Sequence, residues 1–164
     1  MALNAYLSLT GQKQGAIKGS VTQKGREDKI LVIAFSHDLI VPRDPASGLP
    51  SGRRMHKAAV ITKEVDKSTP PLYTALVQNE NITQWELQFW RIAPNTTIAG
   101  EQQHYTVKLT NANIASIAQR MLNTKDANLA KFETYEEIAF TYQRIEWKWV
   151  ETGVTSVDDW SSPY

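Results

Sequence analysis

The feature that most narrows the fold of this chain is an apolar residue at every second position, in short segments spread along its length. Leu3, Ala5, Leu7 and Leu9 alternate with Asn4, Ser8 and Thr10; Tyr6, on the second face, is expected at a half-exposed surface. Trp85, Leu87 and Phe89 alternate with Gln84, Glu86 and Gln88, and Tyr105, Val107 and Leu109 with His104, Thr106 and Lys108. Successive strand side chains point to opposite faces, so this pattern buries one face and wets the other, as in antiparallel sheets.

Deviations from the alternation are equally informative. Residues 30–35 form an unbroken apolar run, which suits a strand covered on both faces. Near Asn111, Ala112 and Asn113 the apolar parity switches to Ile114. It switches again at Gln143 and Arg144, between Ile138, Phe140, Tyr142 and Ile145, Trp147, Trp149. Such slips are expected at bulges or strand bends, one way to curve a sheet into a barrel. Ala16, Ile17 and Lys18 make a weak strand. One short helix is predicted over about 69–79, with Ser68 or Thr69 as cap, Pro70 and Pro71 in the first turn, and Leu72, Ala75 and Leu76 on one face. The expectation is a mostly β chain, an antiparallel β-barrel of two packed sheets with one flanking helix, formed as one unit over 1–164.

Residues 41–52 do not fit any regular element. Pro42, Pro45 and Pro50 with Gly48 and Gly52 exclude a helix or a central strand, leaving a long, stiff loop. Long structured loops in compact domains tend to be functional.

Chemistry is harder to find. His37, His56 and His104 lack the close spacing of a metal site, and no cysteine supplies a thiolate or a disulfide. His37 and Asp38 are neighbours on a strand and point apart, and no G-x-S-x-G elbow offers a nucleophile. Glu136 with Glu137, and Asp158 with Asp159, read as a solvated strand edge and tail rather than an acid–base pair. Arg53, Arg54, Met55, His56 and Lys57 read as a solvated shoulder or a protein contact. Trp147, Trp149 and Trp160 suit packing and subunit contacts better than ligand stacking. No catalytic residue, cofactor or metal is therefore expected. Eighteen basic against 17 acidic residues leave a net charge of +1, which argues against a nucleic-acid partner. No stretch reaches the ~18 apolar residues of a membrane span, and the first ten residues do not read as a secretory signal. The residues alone reach a soluble β-barrel with a stiff loop. A tube-forming assembly protein, a ligand-binding barrel carrier, a contractile phage tail-tube subunit and an effector-bearing toxin all remain compatible.

Several segments together resemble one family, the haemolysin-coregulated proteins (Hcp) of type VI secretion. Val41, Pro42, Arg43, Asp44, Pro45, Ser47, Gly48, Pro50, Ser51 and Gly52, continuing through Arg54, His56 and Lys57, are similar to the family's V-P-x-D-P-x-S-G-x-P-S-G-x-R-x-H-K run. Asp66, Lys67, Pro71, Leu72, Tyr73, Ala75 and Leu76 resemble its D-K-x-x-P-x-L-Y-x-A-L passage. Phe140, Tyr142, Ile145 and Trp147, followed by Gly153 and Asp158, Asp159 and Trp160, resemble its tail. Ala58 departs from a frequent proline, and the turn over 93–100 is not distinctive. The resemblance implies a structural subunit that forms hexameric rings, stacks them into a tube within a sheath, and is fired out behind a spike, with effectors in the lumen. It implies assembly in the cytoplasm with sheath, spike and baseplate proteins, then export without a signal peptide. The loop over 41–57 would reach a neighbouring subunit.

Overall fold

A computed structural model describes residues 3–94 and 100–163. The centre of the 93–100 turn, at 95–99, lies outside these. Thirteen strands and one helix follow in order: β1 (Ala5–Gly11), β2 (Gly15–Ile17), β3 (Ile30–Val32), β4 (Ala34–Ser36), β5 (Leu39–Ile40), β6 (Met55–His56), β7 (Ala59–Glu64), α1 (Thr69–Val77), β8 (Ile82–Ile92), β9 (Glu101–Thr110), β10 (Asn113–Arg120), β11 (Tyr135–Thr141), β12 (Arg144–Trp149) and β13 (Thr155–Asp159). Seven strands make an antiparallel sheet in the order β13-β12-β9-β8-β1-β2, with β3 also on β1; four make a second, β10-β11-β7-β4; β5 and β6 form a separate ribbon. The mostly β expectation with one helix holds. Among the described residues the two sheets pack around one apolar cluster without joining into a closed ladder.

The parity slips mark bends where the chain changes sheet, the first with a register shift beside it between Ile114 and Ser116. The chain leaves β9 in the larger sheet, turns at Asn111 (φ 51°) and enters β10 in the smaller one. It returns between β11 and β12 at Tyr142 and Gln143. The run over 30–35 does the same: β3 pairs with β1, β4 pairs with β7, and Ile33 at the corner is 47% exposed. It is therefore not a strand covered on both faces. Ile30 and Val32 face the core from the larger sheet, and Phe35 packs on it from the smaller.

Alternation delivers the core as expected: Leu7, Leu9, Trp85, Leu87, Val107, Leu109, Ile138, Phe140 and Ile145 are buried. Tyr6 is buried too, contrary to expectation. The Arg26 guanidinium covers its ring at 4.8 Å and the Trp90 ring at 4.1 Å, while Arg26 pairs with Glu101 at 2.6 Å. A long-range cation thus closes a face that looked half-open in the sequence. The helix ends at Val77, before Asn79 takes a left-handed φ of 48°. The Glu80 amide donates to Ala75 O (2.9 Å) and the Asn79 amide to Leu76 O (3.1 Å), a Schellman closure.

Glu136 overturns the solvated-edge reading. It is fully buried, accepts from Lys63 Nζ at 2.6 Å and from Thr69 Oγ1 at 2.8 Å, and so ties β11 and β7 to the first residue of α1. Lys63, also fully buried, reaches Asp66 Oδ1 at 3.1 Å. Burial opposes ionisation of Asp66, but bonds from Ser68 and the Lys63 charge outweigh it and hold the carboxyl below its ordinary range.

Candidate functional site

The segment over 41–57 is an arm that prolongs the β4–β7 pair. Ser36 faces Val60, the Lys57 amide donates to Asp38 O at 3.0 Å, and Leu39 then faces His56 in the β5–β6 ribbon. Beyond it Arg43 bridges Pro50. From Ser36–Val60 to Leu39–His56 the return strand gains one residue, and by Arg43–Pro50 it has gained two more. Extra residues on one strand bend it and increase its twist, so the arm departs as a kinked ribbon.

The tip is built by short-range bonds. The Gly48 amide donates to Asp44 O (2.8 Å) and the Asp44 amide to Leu49 O (2.9 Å). Asp44 accepts from Ser47 Oγ at 2.6 Å and from the Ala46 amide at 3.2 Å. These donors, the Ser47 hydroxyl foremost, hold its carboxyl below the usual range. Gly48 sits at φ +71°, where a Cβ would be strained. At the tip Pro45, Gly48 and Asp44 each fix backbone locally, which explains why this spacing folds into a turn.

The root of the arm is fastened to the chain's last strand. Arg54 donates from Nε to Asp158 Oδ2 at 2.5 Å and from Nη2 to Asp159 O at 2.9 Å; Arg53 donates to Ser162 O at 2.9 Å. His56, whose side chain is 2% exposed, meets the same Asp158 oxygen at 2.6 Å. A carboxylate only accepts, so His56 Nε2 carries the proton. The Tyr142 hydroxyl then lies 2.8 Å from His56 Nδ1 and 2.5 Å from His37 Nε2. One hydroxyl thus bridges two imidazoles. Burial and the nearby Asp158 charge raise the Tyr142 phenol and keep it protonated. Burial, then the neighbouring His56, lowers His37. The Arg54 bond, with further help from His56, outweighs burial and holds Asp158 below the carboxylate range. The Trp160 ring stands 6.0 Å from the His56 ring.

Within the basic cluster Arg53 and Lys57 are exposed as a shoulder would be, but Arg54 and His56 are not solvated. Arg53, Arg54 and His56 are committed to residues 142–162 of their own chain. The arm and tail motifs, separate in sequence, meet in one clamp, and His37 contributes through Tyr142 rather than through Asp38. What could have revealed this was chemical pairing of Arg54 and His56 with Asp158 and Asp159, which spacing alone cannot display. Around the clamp, Leu39, Ile40, Val41, Leu49 and Met55 remain exposed, Leu49 by 65%. Among the described residues no group of three or more His, Cys, Asp or Glu is arranged to hold a metal. What the arrangement offers is a stiff apolar projection on a polar root.

Comparison with known proteins agrees with this architecture. Residues 6–149 match the family described as type VI secretion system effector, Hcp. The chain is 43% identical over 173 residues to the Major exported protein of Pseudomonas aeruginosa, spanning 99% of this chain and 98% of that one. A crystal structure of an Hcp protein superposes with a TM-score of 0.88 at 31% identity, covering 98% of this chain and 99% of the other. The secreted protein Hcp3 from Pseudomonas aeruginosa gives 0.78 at 33% identity, over 97% and 99%. On the match over 6–149 and the near full-length identity, this chain belongs to the Hcp family of type VI secretion proteins.

Proposed function

We propose that this chain is a tube subunit that works by assembly: copies form hexameric rings, the rings stack, and the arm over 41–57 carries the contact to a neighbouring subunit. The observation that carries this reading is the arm itself. It is braced at its root by Arg54 and His56 on Asp158, and it exposes Leu39, Ile40, Val41, Leu49 and Met55. A braced projection has little conformational freedom left to lose on docking, so more of its contact energy survives as affinity. A carrier barrel would instead need an enclosed apolar chamber. One concavity of about 580 Å³ is open rather than enclosed, and mixes Asn4, Gln23 and Asp66 with Val21, Leu31 and Val65.

Sheath, spike and baseplate proteins are the partners of such a tube, with effectors in its lumen. It assembles in the cytoplasm and leaves through the injection machine, as befits a relative of a protein named for its export. Deleting residues 45–51 tests the role of the arm. Folded rings should persist, by light scattering and imaging, while tube growth and secretion fail. Unchanged secretion overturns the assignment.

A further inference from the structure

The smaller sheet carries an apolar groove at the end opposite the arm. It measures about 270 Å³, and Ile33, Leu122, Phe132 and Tyr135 line it with Glu64 and Glu133. Phe132 is 55% exposed and Ile33 47%, so the groove is a wet apolar surface within this chain. Its place is fixed by register. Residues 57–58 connect the arm to β7 at Ala59, whereas the groove lies where Glu64 ends β7 and faces Tyr135. Five residues of strand separate root from groove, about 16 Å.

We infer that this groove receives the arm tip of a second copy of the chain, with Leu49 entering between Ile33 and Phe132. The inference rests on the proposed tube and names the surface that completes it. Three observations select this occupant. The arm continues the β4–β7 pair away from the groove, so a chain's own tip cannot turn back into its own groove. The tip exposes Leu49 by 65%, an apolar group without an apolar site of its own. Charge also matches: Arg43 is exposed beside Leu49's turn, and the groove's rim bears the exposed Glu64 and Glu133.

The contact is heterologous, because different patches of the two copies meet. Contacts of that kind repeat without closing face to face, and they generate rings or open-ended stacks. With arm and groove at opposite ends of one strand pair, each docking leaves a free arm at one end and a free groove at the other. Growth by addition follows from the position of these two features on β7.

The absence of native cysteine makes disulfide trapping a clean test. Full-length Leu49→Cys and Ile33→Cys chains are mixed under conditions that give stacked particles by light scattering, then oxidised mildly. A mixed dimer is expected on non-reducing gels, lost when Val154→Cys, a 68% exposed site elsewhere, replaces Ile33→Cys. Phe132→Cys serves as a second groove variant should Ile33→Cys fold poorly. Stacked particles without the mixed dimer overturn the groove and leave the tube reading standing. Leu49→Cys crosslinking to itself, or equally to Val154→Cys, also overturns it. Absence of any assembly overturns both.

Discussion

Replacing Asp158 by alanine tests whether the tail clamps the arm. One oxygen, Asp158 Oδ2, accepts from Arg54 Nε at 2.5 Å and from His56 Nε2 at 2.6 Å. Hydrogen bonds to charged groups contribute about 1.5–3 kcal/mol each, and orphaning one member of a fully buried ion pair costs about 3–5 kcal/mol. Two facts lower the figure. The Asp158 side chain is 24% exposed, so water takes over part of its role, and Arg54 keeps Asp159 O and Ser162 O. His56, with a side chain 2% exposed, has no such substitute nearby and sets most of the loss. The net expectation is about 2 kcal/mol, or roughly 4–8 °C in Tm for a chain of this size.

Urea denaturation and calorimetry read that loss directly. Ser156→Ala, on the same strand and exposed, is the reference and should stay within about 0.5 kcal/mol of the parent. Adding His56→Ala to Asp158→Ala should cost less than the two single losses summed, because both remove the same bond. Equal effects of Asp158→Ala and Ser156→Ala would show that the clamp carries no energy and refute the reasoning.

Two further outcomes follow from buried charge. Lys63→Met or Glu136→Leu alone should cost about 3–5 kcal/mol by strand-ing the partner's charge in the core, whereas the double replacement should recover most of it; urea midpoints check this, and additive losses would refute it. Acidification should lower Tm in stages. His37 and His104 both titrate below their ordinary 6.5 when folded, chiefly through burial, so the folded state resists their protonation and stability declines as pH falls below 6.5. Asp158 lies below its ordinary 3.8, so its contribution is full above 3.8 and disappears as pH falls through the folded value. A Tm series against pH should show the upper stage shrinking in His37→Gln and again in His104→Gln, and an unchanged upper stage in the double variant contradicts the assignment.

How much of this was legible in the sequence depends on the range of the interaction. Period-two alternation marks which face of a strand is buried, because that is a local property of the pleat, and Leu7, Trp85, Leu87, Val107 and Ile138 follow it. The same periodicity cannot say which sheet a strand joins. The run over 30–35 therefore reads as a doubly covered strand, and the slips at 111–113 and 143–144 as bulges or bends without a destination, when each is a corner between sheets. Long-range polar pairs were hidden for a similar reason. Glu136 looks like an exposed carboxylate until Lys63 arrives from β7, and Tyr6 looks half-exposed until Arg26 arrives over its ring. The arm was visible because proline and glycine act on the backbone where they stand. Its fastening was not, because Arg54 and Asp158 are far apart in sequence.

On the proposed reading of the arm as a contact to a neighbouring subunit, that fastening widens the set of residues that serve assembly. An arm rooted only in the two-residue strands β5 and β6 would sample many directions, and ordering each backbone residue on docking costs about 1–2 kcal/mol. Five hydrogen bonds at the root, from Arg53, Arg54 and His56 to Asp158, Asp159 and Ser162, fix the direction when the chain folds instead. In the proposed contact, docking would begin with an arm already aimed, sparing the association free energy that ordering term. Residues 155–162 therefore serve the arm without themselves needing to touch a neighbour. A tail variant that folds but lets the root loosen should weaken assembly as a loss of pre-organisation, and substitutions at Asp158 and at Leu49 should then be separable. The first lowers the melting temperature of the isolated subunit; the second leaves it unchanged, because Leu49 is exposed until a partner covers it.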